Sequence, residues 1–268
     1  MATHSALFPA LLKYWRNRRG LSQLDLALAA EVSPRHVSFL ETGRSRPSQE
    51  MILRLGSTLD VPLREQNAML RAAGLEEAFA DPGPETPFAP AVERAIDRMM
   101  AQHEPFPLVV FDRKYDIVRL NEGASRLLPL FVADPGALEP PLNAMALLFD
   151  PRGARPFVED WPQTARSMLS RLHREVLASG GDAELGALLN RILELPDVPA
   201  SWKQPDFGIP SEPTLMVRLH RDPTRVAFLT TVTTFSAPQN VALEELHLES
   251  WFPLDEKTAE TCTRLARG

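Results

Sequence analysis

Residues 21–48 read LSQLDLALAAEVSPRHVSFLETGRSRPS, and this stretch decides the architecture of the N-terminal part of the chain. Ser22 is placed to cap a helix whose apolar positions are Leu24, Ala27 and Leu28. After a short turn at Glu31 and Val32, Ser33 caps the next helix, with Pro34 in its first turn, where a missing amide donor costs nothing. That helix, Pro34 to Glu41, turns Val37 and Leu40 inward at i, i+3 spacing and leaves Arg35, His36, Ser38 and Phe39 facing outward or sideways. Gly43 ends it. Two short helices joined by a tight turn, the second opening with small polar and basic residues, have the geometry that lets one helix enter the major groove of DNA.

Working outward, a first helix spans about Pro9 to Arg19, with Leu11, Leu12 and Trp15 in step and its arginines late, where cations suit the helix dipole. A fourth helix is capped by Ser48 and buries Ile52, Leu53, Leu55 and Leu59, and a fifth covers about Leu63 to Ala73. Beyond it, residues 81–90 read DPGPETPFAP, a proline density that forces extended backbone. The division expected is a five-helix domain over 1–76, a linker over 77–90 and a second domain over 91–268. Charge follows this division: residues 1–74 carry +4 and residues 75–268 carry −10, which makes up the net −6 of the whole chain. A basic head on an acidic body is the pattern of a chain in which one domain touches a polyanion.

The words of residues 21–48 resemble the helix-turn-helix domain of the Xre/phage-repressor family, through the Gln that opens the second helix, the Leu-Ala pair inside it and the Leu-Glu-x-Gly ending of the third. The resemblance covers nearly all of residues 8–74. It implies that Gln23 and Ser33 hold phosphates and that Arg35, His36, Ser38 and Phe39 face base edges in double-stranded DNA. An arginine can fork onto guanine and a phenyl ring can meet a thymine methyl. Arg44 and Arg46, in the following loop, would reach the DNA backbone. Each assignment has a structural alternative: Ser22 and Ser33 cap helices with or without DNA, Glu41 can pair with a nearby arginine, and Phe39 can belong to the core.

In the second domain, residues 91–102 make an amphipathic helix, LVVFD (108–112) and DIVRLN (116–121) read as two strands, and Asn121 caps a short helix from Glu122. Asp160 with Gln163 suggests a capping box for a helix with Ala165, Met168, Leu169, Leu172 and Val176 in step. Gly180 and Gly181 end that helix, and Asp182 caps the next. TLMVRLH (214–220), RVAFLTTVTTF (225–235) and HLESWF (247–252) are the remaining strands; a short helix near Val241 to Leu246 and a last helix capped by Asp255 complete the chain.

This half resembles the MmyB-like ligand-binding domain, carried by HEPFPLVVFDRKYDIVRLN (103–121), FDPRGARPFVEDWPQTA (149–165), SRLHRE (170–175) and TTVTTFSAPQNVALEELHLESWFPLDEKT (230–258). The resemblance implies an α+β fold, a PAS-like sheet wrapped by helices around an apolar pocket for a fatty-acid-like effector. It also implies Asn before Trp161, where this chain has Asp160. By facing, Phe111, Met168, Leu172, Met216, Phe228 and Val232 are candidates for the pocket wall, and Arg171 or Arg174 for binding a carboxylate. The alternative is that the apolar residues are ordinary core and that the two arginines pair with Glu175 or with neighbouring carboxylates.

Other classes find no support in the residues. The 268 residues contain no HExxH, GxSxG, Walker A or GxGxxG word, and the six histidines have no metal-ligand spacing. One cysteine, Cys262, excludes an internal disulfide. No apolar run approaches a membrane span, and the N-terminus lacks a signal-peptide pattern. The expectation is a cytoplasmic regulator without catalytic activity, metal or cofactor, which binds an operator as a homodimer and answers to a small apolar effector. The alternative is a regulator whose second domain serves dimerisation or protein docking without a small ligand.

Overall fold

A computed structural model describes residues 7–81, 88–179, 182–204, 215–235 and 240–267. Residues 82–87 of the expected linker and the Gly180–Gly181 helix end lie outside the described residues. The chain divides into two compact units, one formed by its N-terminal part up to residue 86 with residues 236–244, the other by residues 87–235 with 245–268.

The first unit contains α1 (Leu7–Arg18), α2 (Gln23–Ala29), α3 (Pro34–Glu41), α4 (Gln49–Thr58) and α5 (Leu63–Ala72). Leu12, Leu26, Val37, Leu40, Ile52, Leu55, Leu59, Met69 and Leu70 are fully buried at its centre. In α2 the inward face is Leu26 and Ala27, followed by Ala30, while Leu24 and Leu28 are 54% and 69% exposed, contrary to the sequence reading. Ala27 belongs to both possible helical faces, so periodicity alone admits either, and packing against α3 selects the one with Leu26. Ser22 and Asp25 form a reciprocal capping box at the start of α2, with bonds of 3.1 and 2.9 Å. Gly43 closes the end of α3 at φ +71°, a conformation that glycine adopts without a Cβ clash.

The second unit contains α6 (Pro90–His103), β1 (Leu108–Phe111), β2 (Ile117–Leu120), α7 (Glu122–Leu127), α8 (Ala144–Phe149), α9 (Trp161–Ala178), α10 (Ala183–Leu193), β3 (Leu215–Arg221) and β4 (Thr224–Thr234). After α11 (Val241–Glu244), which belongs to the first unit, it ends with β5 (His247–Pro253) and α12 (Glu256–Ala266). The five strands form one antiparallel sheet in the order β2-β1-β5-β4-β3. This is the mixed α+β domain expected, with one helix, α8, that the sequence reading did not assign. Asn121 ties β1 to α7: its side-chain oxygen accepts from Leu108 N at 2.8 Å and from Ala124 N at 2.9 Å. Asp160 does not form the expected capping box. Its backbone is left-handed (φ 51°) and its side chain makes no cap bond; its carbonyl oxygen instead accepts from Gln163 N at 2.9 Å.

Two distant pieces of chain complete the first unit. Buried Asn67 accepts from Ala78 N and Phe79 N and donates to Phe79 O at 2.7 Å, holding the chain after α5. Val241 is fully buried and donates its N–H to Ala80 O at 3.0 Å. Pro62 gives α5 no side-chain cap, and the Glu244 carboxylate accepts from Leu63 N at 2.8 Å in its place. An anion at this position also suits the positive end of the helix dipole.

Candidate functional site

The outer face of α3 is set by a buried polar lock on its inner side. Arg16 of α1 forks onto Glu41 at the end of α3 through Nε (2.6 Å) and Nη2 (3.0 Å), and its Nη1 donates to Leu21 O at 2.7 Å. Gln23 Nε2 of α2 donates to the same carboxylate at 2.7 Å. The two charged side chains are only 10% and 2% exposed, so three helices converge on one desolvated ion pair. Burial works to raise the Glu41 carboxyl; the hydrogen bonds from Arg16 and Gln23 and the Arg16 charge outweigh it, and the net shift is downward.

With α3 held in this way, Ser33 accepts from His36 N at 3.1 Å and caps its N-terminus. Arg35 is exposed and lies over the half-buried Phe39 ring at 5.1 Å, with exposed Arg44 over the same ring at 6.0 Å. The π-system of the ring thus attracts both guanidinium groups. Arg46 is exposed close by in sequence, and among the described residues none of Arg35, Arg44 and Arg46 forms an ion pair. Ser38 is half-buried and available on the same helix. Gln23 is half-buried at the start of α2, and one of its amide hydrogens is given to Glu41.

A second candidate site is a cavity of about 170 Å³ inside the second unit. On this measure one water needs roughly 10–15 Å³, so the space suits a small organic molecule. Helix α9 covers one side with Thr164, Ser167, Met168, Arg171 and Arg174, a helical stripe, while the sheet supplies Val109, Val217, Leu219, Thr230, Val232, Glu249 and Trp251. The register explains the sheet wall: Val109 and Val232 both pair with Glu249, and Thr230 pairs with Trp251, so these side chains share one face. Most of the lining is apolar. At one margin Tyr115 Oη donates to Glu175 at 2.7 Å, and Arg171 Nε donates to the other Glu175 oxygen at 2.9 Å. Burial pushes the Glu249 carboxyl up, against the pull of the Arg171 charge and of the Thr230 and Trp251 side chains beside it.

Of the wall residues expected from sequence, Phe111, Met168, Arg171, Arg174 and Val232 line this cavity. Three lie elsewhere. Leu172 is fully buried in the core behind α9, and Phe228 is fully buried on the sheet, packed on Trp251 at 5.4 Å between ring centres. Met216 is 49% exposed, because odd-numbered Val217 and Leu219 face the cavity on β3. Arg171 pairs with Glu175, the alternative that its i, i+4 spacing offered. Glu249, Trp251 and Thr230 were not anticipated; the alternation of His247, Glu249 and Trp251 in HLESWF was the available signal.

Comparison with known proteins finds two matching families. Residues 12–66 match the helix-turn-helix family, and residues 92–265 match the MmyB-like transcription regulator ligand binding domain. The HTH-type transcriptional regulator DdrOP3 of Deinococcus deserti is 32% identical over 98 residues, which is 33% of this chain and 76% of that protein. With a DNA-binding fold at one end and a ligand-binding domain over most of the remainder, the chain belongs to the MmyB-like transcription regulators.

Proposed function

We propose that the chain reads a specific operator in double-stranded DNA through α3, as a homodimer, and that a small apolar, fatty-acid-like effector changes that affinity from within the second unit. The observation that carries this reading is the outer face of α3, where Arg35 and Arg44 lie over Phe39 and form no ion pair among the described residues, while the chain as a whole is acidic. Arg35, His36, Ser38 and Phe39 are the base-facing set, and Arg44 and Arg46 the phosphate-facing set. Ser33 and the backbone at the start of α2 beside Gln23 offer N–H groups to phosphates. The DNA-binding domain is 1–76 and the ligand-binding domain 91–268 apart from residues 236–244, which belong to the first unit; 77–90 join the two. Two copies of α3 spaced about one turn of DNA require a dimer.

An effector can act only by binding the DNA-competent and DNA-incompetent arrangements with different affinity. The test is fluorescence anisotropy of the full chain on a fragment of its own upstream DNA, titrated with salt, with and without length-matched alkyl compounds. Affinity that falls with salt and shifts with an alkyl compound is the expected outcome. Tight binding indifferent to every alkyl compound would assign the second unit to dimerisation or protein docking instead.

A further inference from the structure

One short piece of chain belongs to the first unit although both its ends run into the wall of the cavity. Residues 236–244 connect β4 to β5, the strands that carry Val232 and Glu249 on that wall. The strands separate after the Thr234–His247 pair, two positions beyond the Val232–Glu249 pair. Within the first unit, buried Val241 donates its N–H to Ala80 O at 3.0 Å, and the Glu244 carboxylate accepts from Leu63 N at 2.8 Å. Short segments held by local contacts of this kind lie at the low-stability end of a fold, from which switching elements are drawn.

The change of unit falls between two consecutive glutamates. Glu244 bonds inside the first unit, while Glu245, in the second, pairs with Arg113 Nε at 3.3 Å in the turn between β1 and β2. From Glu245 a continuous path leads back to the cavity. His247 Nδ1 donates to Glu245 O at 3.0 Å, and the His247 ring stacks on Phe111, its β1 partner, with centres 5.4 Å and planes 8° apart. Phe111 stacks in turn on Tyr115 at 5.4 Å and 9°. Phe111 and Tyr115 line the cavity.

We propose that occupancy of the cavity reaches the DNA-binding helices along this path: a displacement of the Tyr115–Phe111–His247 stack is passed through the Glu244–Glu245 junction and changes how Glu244 caps α5. The inference rests on the reading of the cavity as the effector site and says how that site regulates DNA binding. Rings packed face to face move together, since a close-packed wall leaves no gap to absorb a shift. A ligand that seats better with the stack displaced binds one arrangement more tightly, and that difference supplies the coupling. Glu244 is the responding group because its carboxylate satisfies the first turn of α5, which has no side-chain cap of its own. Helix α5 packs on α1, and α1 carries the Arg16 that holds Glu41 of α3.

The test is fluorescence anisotropy of the full chain on its upstream DNA fragment with and without decanoate, whose own binding is followed by isothermal titration. Saturating decanoate should shift the wild-type operator Kd by about tenfold or more. Glu244→Ala and His247→Ala break the path on either side of the junction. Each should bind decanoate, and in its absence the operator, within about threefold of the wild type, while the decanoate shift falls below about twofold. Thermal unfolding checks that both fold, and either variant alone decides. Without DNA, decanoate should change hydrogen exchange at the wild-type Leu63 amide by about threefold or more. A shift that survives substitution, or a Leu63 amide indifferent to bound decanoate, overturns the path and leaves residues 77–90 to carry the effect, with the effector reading intact. Loss of the shift only together with decanoate binding overturns it too, since the residue then acts on the cavity itself. A wild type that fails to bind decanoate, or binds it with no change in operator affinity, overturns the effector reading and the path with it.

Discussion

The two units place their polar side chains in opposite ways. In the first, the charged groups inside are paired, Arg16 with Glu41, and Arg35, Arg44 and Arg46, on the surface of α3 and the following loop, form no ion pair among the described residues. In the second, several surface arginines are paired, among them Arg119 with Glu93 and Asp97, Arg152 with Asp150, and Arg225 with Glu159. Two of its polar side chains, Glu249 and Trp251, stand beside each other on the wall of a cavity. A surface of unpaired cations favours a polyanion, and polar groups scattered in an apolar cavity favour a small molecule. The contrast separates the two recognition tasks more sharply than net charge does.

The largest expected effect comes from breaking the lock inside the first unit. Glu41→Ala leaves the Arg16 guanidinium buried without its partner and should destabilise the chain by about 3–5 kcal/mol, read as a lowered urea midpoint. The pH dependence follows from the downward shift of Glu41. Its pairing contributes fully above the ordinary glutamate value of about 4.3 and is lost as pH falls through the lower folded value. Glu41→Gln should lack that acid-induced loss. A wild-type chain whose stability is flat from pH 5 to pH 3 would break the comparison at its buried side.

On the outer side of the same helix, Arg35→Ala should weaken operator binding by about 1–3 kcal/mol and relax preference at one base position, measured by anisotropy on single-base operator variants. Folding stability should change little, since Arg35 is exposed and its described contact is with the Phe39 ring. The reverse outcome, lost stability with unchanged affinity, would return Phe39 and Arg35 to the structural class.

Local order was the most legible part of the chain. Caps at Ser22, Ser33, Ser48, Asn121, Asp182 and Asp255 sit one residue from the helices they start, and the side chain of each accepts a backbone N–H of the first turn. Leu24 and Leu28 misled because a seven-residue helix is too short for period alone to choose a face. Arg171 gave two readings because one side chain can both line a cavity and bond its i+4 neighbour. Glu249 was hidden by its type: a carboxylate in a strand usually signals the solvent face, and only the register with Val109 and Val232 turns it inward.

Least legible was Glu244, which caps a helix 181 residues earlier in the chain. Its segment lies in sequence between β4 and β5 and yet belongs to the first unit. Glu244→Ala should cost about 1 kcal/mol of local stability, seen as faster hydrogen exchange at the Leu63 amide. Unchanged protection there would remove this segment from the account of the first unit.

The smallest effect tests whether burial, rather than geometry, sets the worth of a charge pair. Arg225 forks onto Glu159 through Nε at 2.6 Å and Nη2 at 2.7 Å, nearly the same hydrogen-bond arrangement as Arg16 on Glu41. The difference is exposure: the Arg225 and Glu159 side chains are 64% and 22% exposed, against 10% and 2% for the inner pair. In water the Coulomb gain is screened and two long side chains must be ordered to obtain it. Arg225→Ala should therefore shift stability by less than about 1 kcal/mol, and the shift should shrink further in high salt. Parity between Arg225→Ala and Glu41→Ala would mean that fork geometry alone carries the energy, and the distinction between an inner lock and an outer pair would lose its physical basis.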